Sequence, residues 1–159
     1  MTTIELNDKD IAILRLLQQD ASLTSTAIAE RLNISQSPCW RRINHIEQQG
    51  LIHRRVALLA REKLGMEVVV FATLNLSSQG RENVEHFEQE IGSFPEIVEC
   101  YTMTGSWDYM LKIITRDIRH FERFLRDHLL RMTAVGEIHS HIAITEIKNS
   151  TELPLDTQL

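Results

Sequence analysis

The sequence predicts an α+β protein in two parts: a helical N-terminal third, then a longer part that mixes strands with helices. Apolar residues recur at helical spacing up to about Gly50, whereas from Met66 the rhythm changes to valine-rich and alternating runs. Charge changes with it. Residues 1–65 hold nine Lys/Arg against seven Asp/Glu, a net of +2, while residues 66–159 hold eight against fifteen, a net of −7. With 159 residues, 43% of them hydrophobic, the chain can build one ordinary core or two small ones.

The first helix is expected to start at Asn7, an N-cap residue, with Asp8 and Asp10 in the opening turn. It carries Ile11, Leu14 and Leu17 on one face and ends near Asp20. A second helix of about two turns starts at Thr24 or Ser25, turns Ile28, Ala29 and Leu32 inward and stops at Asn33. A third follows, capped by Ser35 or Ser37, with Pro38 in the first turn where a missing N–H costs little. At about 100° per residue, Cys39, Ile43, Ile46 and Gly50 share one side of it, and Ser37, Arg41, Asn44, His45 and Gln48 the other, with Trp40 and Arg42 on opposite flanks. Gly50 is suited to a left-handed helix end, and LIHRRVALL then reads as strand-like.

MEVVVFATLNL reads as a strand too apolar for an exposed edge. GRENVEHFEQEIGSF has helical spacing through Val84, Phe87 and Ile91, and Pro95 forbids its continuation. IVECYTMTG and DYMLKIIT are two strands joined by a turn at Gly105 and Ser106. IRHFERFLRDHLLRM gives a helix through Phe121, Phe124, Leu125 and Leu129, and EIHSHIAITEIK a strand that alternates from Ile138 to Ile147. The order β-α-β-β-α-β is that of a ferredoxin-like sandwich, with two helices on one sheet face. Both faces of the sheet look apolar, so the uncovered one is expected to associate with another copy. The tail from Asn149, with Pro154 and no periodicity, is expected to be loosely held. The boundaries are thus 1–60, 61–149 and a tail of 150–159.

No apolar run approaches the roughly 18 residues of a membrane span, and MTTIELNDKD lacks a basic region followed by an apolar core, so a cytoplasmic protein is expected. Cys39 and Cys100 belong to no CxxC or Cys/His cluster, and both read as buried free thiols. His139 and His141 share a strand face at i, i+2 but lack a third ligand, so no metal site is expected. GxSxG, P-loop and GxGxxG motifs are absent, Glu88 and Glu90 read as a solvated helix face, and no catalytic residues or cofactor are expected.

Three short helices with a tight NIS turn, followed by a basic stretch, read as a winged helix-turn-helix spanning about residues 25–44, whose third helix enters the major groove of double-stranded DNA. Gln36, Ser37, Arg41, Asn44 and His45 carry hydrogen-bonding groups suited to base edges, and Trp40 stands beside them. Arg42, Arg54 and Arg55 are placed for phosphates, which orient without reading sequence. The plain competing reading makes these arginines an ordinary solvated helix face. Two other functions compete: an enzyme using Asp108, Cys100 and the histidines of the ferredoxin-like half, and an RNA binder. The second lacks the aromatic stretch an RNA-binding sheet uses.

NDKDIAILRLLQQD, the helix-turn-helix with SPCWRRI, then GLI and TGSWDYML resemble the Lrp/AsnC or feast/famine family of transcription regulators over nearly the whole chain. The resemblance implies an N-terminal winged helix for DNA, a hinge strand, and a C-terminal RAM/ACT-like βαββαβ domain. It also implies that dimers assemble to octamers or similar rings and that a small effector, usually an amino acid, is bound. The SPCW form and the ending STELPL are closer to a branch that includes the cysteine-responsive detoxification regulator. By the same resemblance Met103, Thr104, Gly105, Ser106, Asp108 and Tyr109 form the effector-binding loop. Ala134, Val135, Gly136 and His139 of an adjoining subunit complete the pocket. The residues agree in part: Gly105 lets the backbone approach a ligand and Asp108 can accept from an α-amino group. Alternatively both merely shape a hairpin, and Trp107 is bulky enough to narrow a pocket there.

Overall fold

A computed structural model describes residues 5–77 and 81–155. The chain divides into two compact units, one running to Leu58 and resuming at Lys148, the other spanning Leu59–Ile147.

The first unit holds helices α1 (Asp8–Gln19), α2 (Ser25–Arg31) and α3 (Gln36–Gln48). Asn7 caps α1 through a reciprocal box: its side chain accepts from the N–H groups of Lys9 and Asp10, and the Asp10 carboxylate accepts from the Asn7 N–H at 3.2 Å. Thr24 caps α2, its hydroxyl accepting from the Ala27 N–H. Asn33 takes a left-handed φ of 52° in the tight turn before α3. Ser35 is the N-cap of α3 by position, without a side-chain hydrogen bond. Pro38 is its third residue, where an N–H would have no helical acceptor. Gly50, at φ 72°, lets the Leu51 N–H reach back to the Ile46 carbonyl. Ile13, Leu17, Ile28, Ala29, Cys39, Ile43 and Ile46 form the core, with Leu14 only partly buried. Ile13 is a core residue that the Ile11–Leu14–Leu17 stripe left out.

Leu51–Leu59, expected to be strand-like, lies outside any sheet ladder among the described residues. Strand propensity alone is not enough, because a strand exists by its ladder partner.

In the second unit, strands β1 (Val68–Leu76), β2 (Ile97–Thr102), β3 (Tyr109–Thr115) and β4 (Val135–Ile142) form one antiparallel sheet in the order β2-β3-β1-β4. Helices α4 (Arg81–Ser93) and α5 (Ile118–Asp127) cover one face. Val70, Ala72 and Leu74 of the central β1, with Leu111 and Ile113 beside them on β3, pack against Phe87, Ile91, Phe121 and Phe124. This is the ferredoxin-like arrangement, and β1 is interior as its valine content requires.

Four expectations are corrected here. The stretch read as one last helix ends at Asp127 and continues as a separate 3-10 turn, Leu129–Arg131, in which Leu129 is fully buried. The last strand stops at Ile142, opposite Val70; one further bond follows, the Ala143 N–H donating to the Val69 carbonyl at 2.9 Å, after which the chain leaves the ladder and Ile144 and Ile147 are 99% and 90% exposed. The open sheet face is mixed rather than apolar: alternation puts Val69, Phe71, Met110 and Ile114 there, but also Thr73, Lys112, Glu99 and His141. Cys39 is buried as expected, but Cys100 is exposed, because β2 is an edge strand.

Candidate DNA-binding and effector sites

Helix α3 has one sealed and one open side. Cys39, Ile43 and Ile46 are buried, while Gln36, Ser37, Trp40, Arg41 and His45 are exposed and Asn44 is half-buried. Trp40 leaves 55% of its surface in solvent, an uncommon cost for so large an apolar side chain on a small unit. Burial raises the pKa of the Cys39 thiol, as suits a packing residue.

The basic residues separate by what already holds them. Arg41 and Arg54 are exposed and form no ion pair among the described residues. Arg42 is committed instead, its Nη1 lying 2.9 Å from Oδ1 of the buried Asp10. Arg55 donates to the Ala21 carbonyl and to Glu47, both at 2.8 Å. Each keeps further N–H donors for a phosphate, but each is also held by a partner within its own unit. Gln36 is likewise tied, donating to the Thr26 hydroxyl of α2 at 2.7 Å. These partners are distant in sequence, and charge counting gave no sign of them.

In the second unit, Gly105 takes a φ of 104°, a conformation that L side chains rarely adopt. It sits in the loop from Met103 to Asp108, whose base is closed by the Met103 N–H donating to the Asp108 carbonyl at 2.8 Å. The Asp108 carboxylate accepts from the Leu76 N–H at 2.9 Å, and its own N–H donates to the Leu74 carbonyl and the Asn75 side chain. Asp108 therefore pins the loop to the end of β1. On the other side of that strand end, Leu76 pairs with Val135, and the Ser77 N–H donates to the Ala134 carbonyl at 2.8 Å. A Cβ on Gly136 would stand 3.2 Å from the Ser77 nitrogen and 3.3 Å from the Asn75 carbonyl oxygen, so glycine permits that approach. Asp108 and residues 134–136 thus flank one strand end.

Met103, Thr104, Gly105 and Ser106 are exposed around this place, and Tyr109 follows them at the start of β3. Strand alternation turns its ring to the helical face, where it packs on Phe87 at a centroid distance of 4.7 Å and donates to Glu88 at 2.8 Å. Burial, then the Glu88 hydrogen bond, pushes its pKa up to about 12. His139 pairs with Glu137 at 2.8 Å and lies against Trp107, ring centroids 4.6 Å apart. Trp107 therefore spans from the loop to β4. Thr73 Oγ1, on the same sheet face between Met110 and His139, is buried with no hydrogen-bond partner among the described residues. Sequence reading missed this atom, since a threonine in a strand looks ordinary.

Residues 6–53 match the winged helix-turn-helix DNA-binding family, and residues 69–153 match the Lrp/AsnC ligand binding domain. The chain belongs to the Lrp/AsnC family. It is 36% identical over 153 residues to the transcriptional regulator AzlB of Bacillus subtilis, covering 96% of this chain and 98% of the relative. A regulator from Neisseria meningitidis, NMB0573, solved as a complex with L-Met, superposes with a TM-score of 0.94 at 32% identity, covering 98% of this chain and all of that one. An AsnC family transcriptional regulator from Agrobacterium tumefaciens superposes with a TM-score of 0.92 at 37% identity, over 97% of this chain and all of that one. As an Lrp/AsnC member the chain is a DNA-binding transcriptional regulator with a ligand-binding domain, not an enzyme. No helix among its described residues is long and apolar enough to cross a membrane.

Proposed function

We propose that this Lrp/AsnC protein reads an operator through the outward side of α3 and tunes that binding with an amino acid held at the end of β1. The observation that carries the first half is the sealed-and-open division of α3: Cys39, Ile43 and Ile46 are buried, so Ser37, Trp40, Arg41, Asn44 and His45 are left to meet base edges. Arg54 supplies a phosphate contact, while Arg42, Arg55 and Gln36 hold the helix and the following arm in place.

For the effector, the loop Met103–Ser106, with Asp108 behind it, faces residues 134–136 across the β1 end, and His139 with Trp107 borders them. Backbone N–H groups of such a loop suit an α-carboxylate and Asp108 suits an α-amino group. The relative solved with L-Met makes methionine the first candidate, and the SPCW and STELPL likeness adds cysteine. Association of copies is supported by the exposed Val56, Leu58, Leu59, Ile144 and Ile147 and by the apolar half of the open sheet face. A dimer building toward an octamer fits that exposure, and acting on chromosomal DNA fits a cytoplasmic protein.

The test is anisotropy titration of the purified protein against its own upstream region and a scrambled duplex, across a salt series, with each of the twenty amino acids. Sequence preference, a negative salt slope and a response to at least one amino acid are expected. Equal, weak binding to both duplexes would overturn the reading of α3. A preference that no amino acid alters would overturn the effector half.

A further inference from the structure

The C-terminal residues, expected to be loosely held, are fastened to the DNA-binding unit. Gln18 of α1 clamps the backbone of Leu153 at two points: its Nε2 donates to the Leu153 carbonyl and its Oε1 accepts from the Leu153 N–H, both at 3.0 Å. Arg15, one turn earlier on the same helix face, donates through Nε to the Leu155 carbonyl at 2.9 Å and through Nη2 to the same oxygen. Pro154 stands between the two anchored residues, so the position with no N–H to offer is the one that needs none.

The two leucines are not idle. Leu153 and Leu155 line a cavity of about 440 Å³ whose other walls include Leu14 and Leu17 of α1 together with Leu51 and Arg54. One segment is thus fastened to α1 and walls a cavity whose opposite wall is the arm that carries Arg54 and Arg55. Ordering it costs backbone entropy, and holding Arg15 and Gln18 costs side-chain entropy, which specific contacts offset.

We propose that residues 151–155 are a strap that braces the 51–55 arm against α1, making Arg15 and Gln18 positioning residues for the phosphate contact of Arg54. DNA affinity then depends on the C-terminal end of the chain. This rests on the reading of Arg54 as a phosphate contact.

The experiment uses the full-length protein, a Leu153→Asp/Leu155→Asp double variant, and a chain ending at Asn149. Amide hydrogen exchange follows residues 14–19, and anisotropy follows a fixed operator duplex and a scrambled one. In both variants, α1 exchange is expected to quicken about tenfold. Affinity for both duplexes is expected to fall about three- to tenfold alike, because the base-reading side of α3 is untouched. Unchanged exchange overturns the strap, and faster exchange with unchanged affinity overturns the bracing of the arm. A loss confined to the operator duplex also overturns it, since that would be a change in base reading. If the parent binds neither duplex, the DNA-binding reading itself has failed, a result recognisable because parent and variants then behave alike.

Discussion

Arg42 of α3 and Asp10 of α1 close to 2.9 Å, with Asp10 only 8% exposed. Its neighbour Arg41 stands in solvent. Two adjacent arginines on one helix therefore have separate tasks: one locks the helix to α1, the other is free to reach a groove. Asp10 also closes the capping box at the start of α1, so one carboxylate supports two helices.

Asp10→Ala removes both roles. Losing the reciprocal half of the capping box, the Asn7 N–H bond, costs about 0.5–1 kcal/mol, and leaving a half-buried guanidinium without its partner adds a further ~1–2 kcal/mol. Urea unfolding of the variant is expected to show a midpoint well below the parent, whereas Arg41→Ala stays within about 0.5 kcal/mol. Equal stability of the two variants would mean that the Asp10–Arg42 pair does not hold α3.

Arg41→Ala is expected to relax the sequence preference at one operator position, costing about 1–3 kcal/mol against the preferred base there. Arg54→Ala weakens operator and scrambled duplexes together and lowers the salt slope by about one. Binding measured on both duplexes at four salt concentrations distinguishes the two. Matching losses for both variants would undo the division of labour.

The fold was legible where local rules and packing agree. Asn7, Thr24 and Gly50 cap helices as their chemistry demands, and the valines of 68–70 take the central strand because a run apolar on both faces must be covered. Reading stopped where a partner far along the chain decides. Leu51–Leu59 has the composition of a strand but no ladder within the described residues, and EIHSHIAITEIK alternates to Ile147 while its pairing ends at Ile142. At the sites, periodicity gave the outward side of α3. It did not reveal that Arg42, Arg55 and Gln36 are held by Asp10, Ala21, Glu47 and Thr26. The resemblance grouped Asp108 with Tyr109 in one loop, whereas Asp108 bonds to the end of β1 and Tyr109 faces the helices.

Asp108→Ala is expected to leave DNA affinity without effector within about twofold and to abolish the amino-acid response, because the carboxylate that accepts from the Leu76 N–H also fixes the loop. Asp108→Asn, which keeps an acceptor oxygen but no charge, separates the two contributions. It should retain the loop, seen as unchanged Leu76 amide exchange, yet lose affinity for an α-amino group. A wild-type response in Asp108→Ala would move the effector site elsewhere.

Tyr109 gives a stability signature at high pH. Its pKa stands at about 12 in the folded chain against an ordinary value of 10, chiefly from burial and then from its hydrogen bond to Glu88. The folded state therefore holds the phenolic proton more tightly than the unfolded chain does. The stability this adds is complete below pH 10 and is lost as pH rises from 10 through 12. Two pKa units correspond to at most about 3 kcal/mol across that window. Tyr109→Phe removes the titrating group and the Glu88 bond together. The variant is expected to be about 1 kcal/mol less stable near neutrality, with the gap to the parent shrinking or reversing between pH 10 and 12. Denaturation of both proteins at half-unit pH intervals reads this out directly. A constant difference over the range would show that the phenol titrates alike in the folded and unfolded chains, and so that the Phe87 and Glu88 contacts do not shield it.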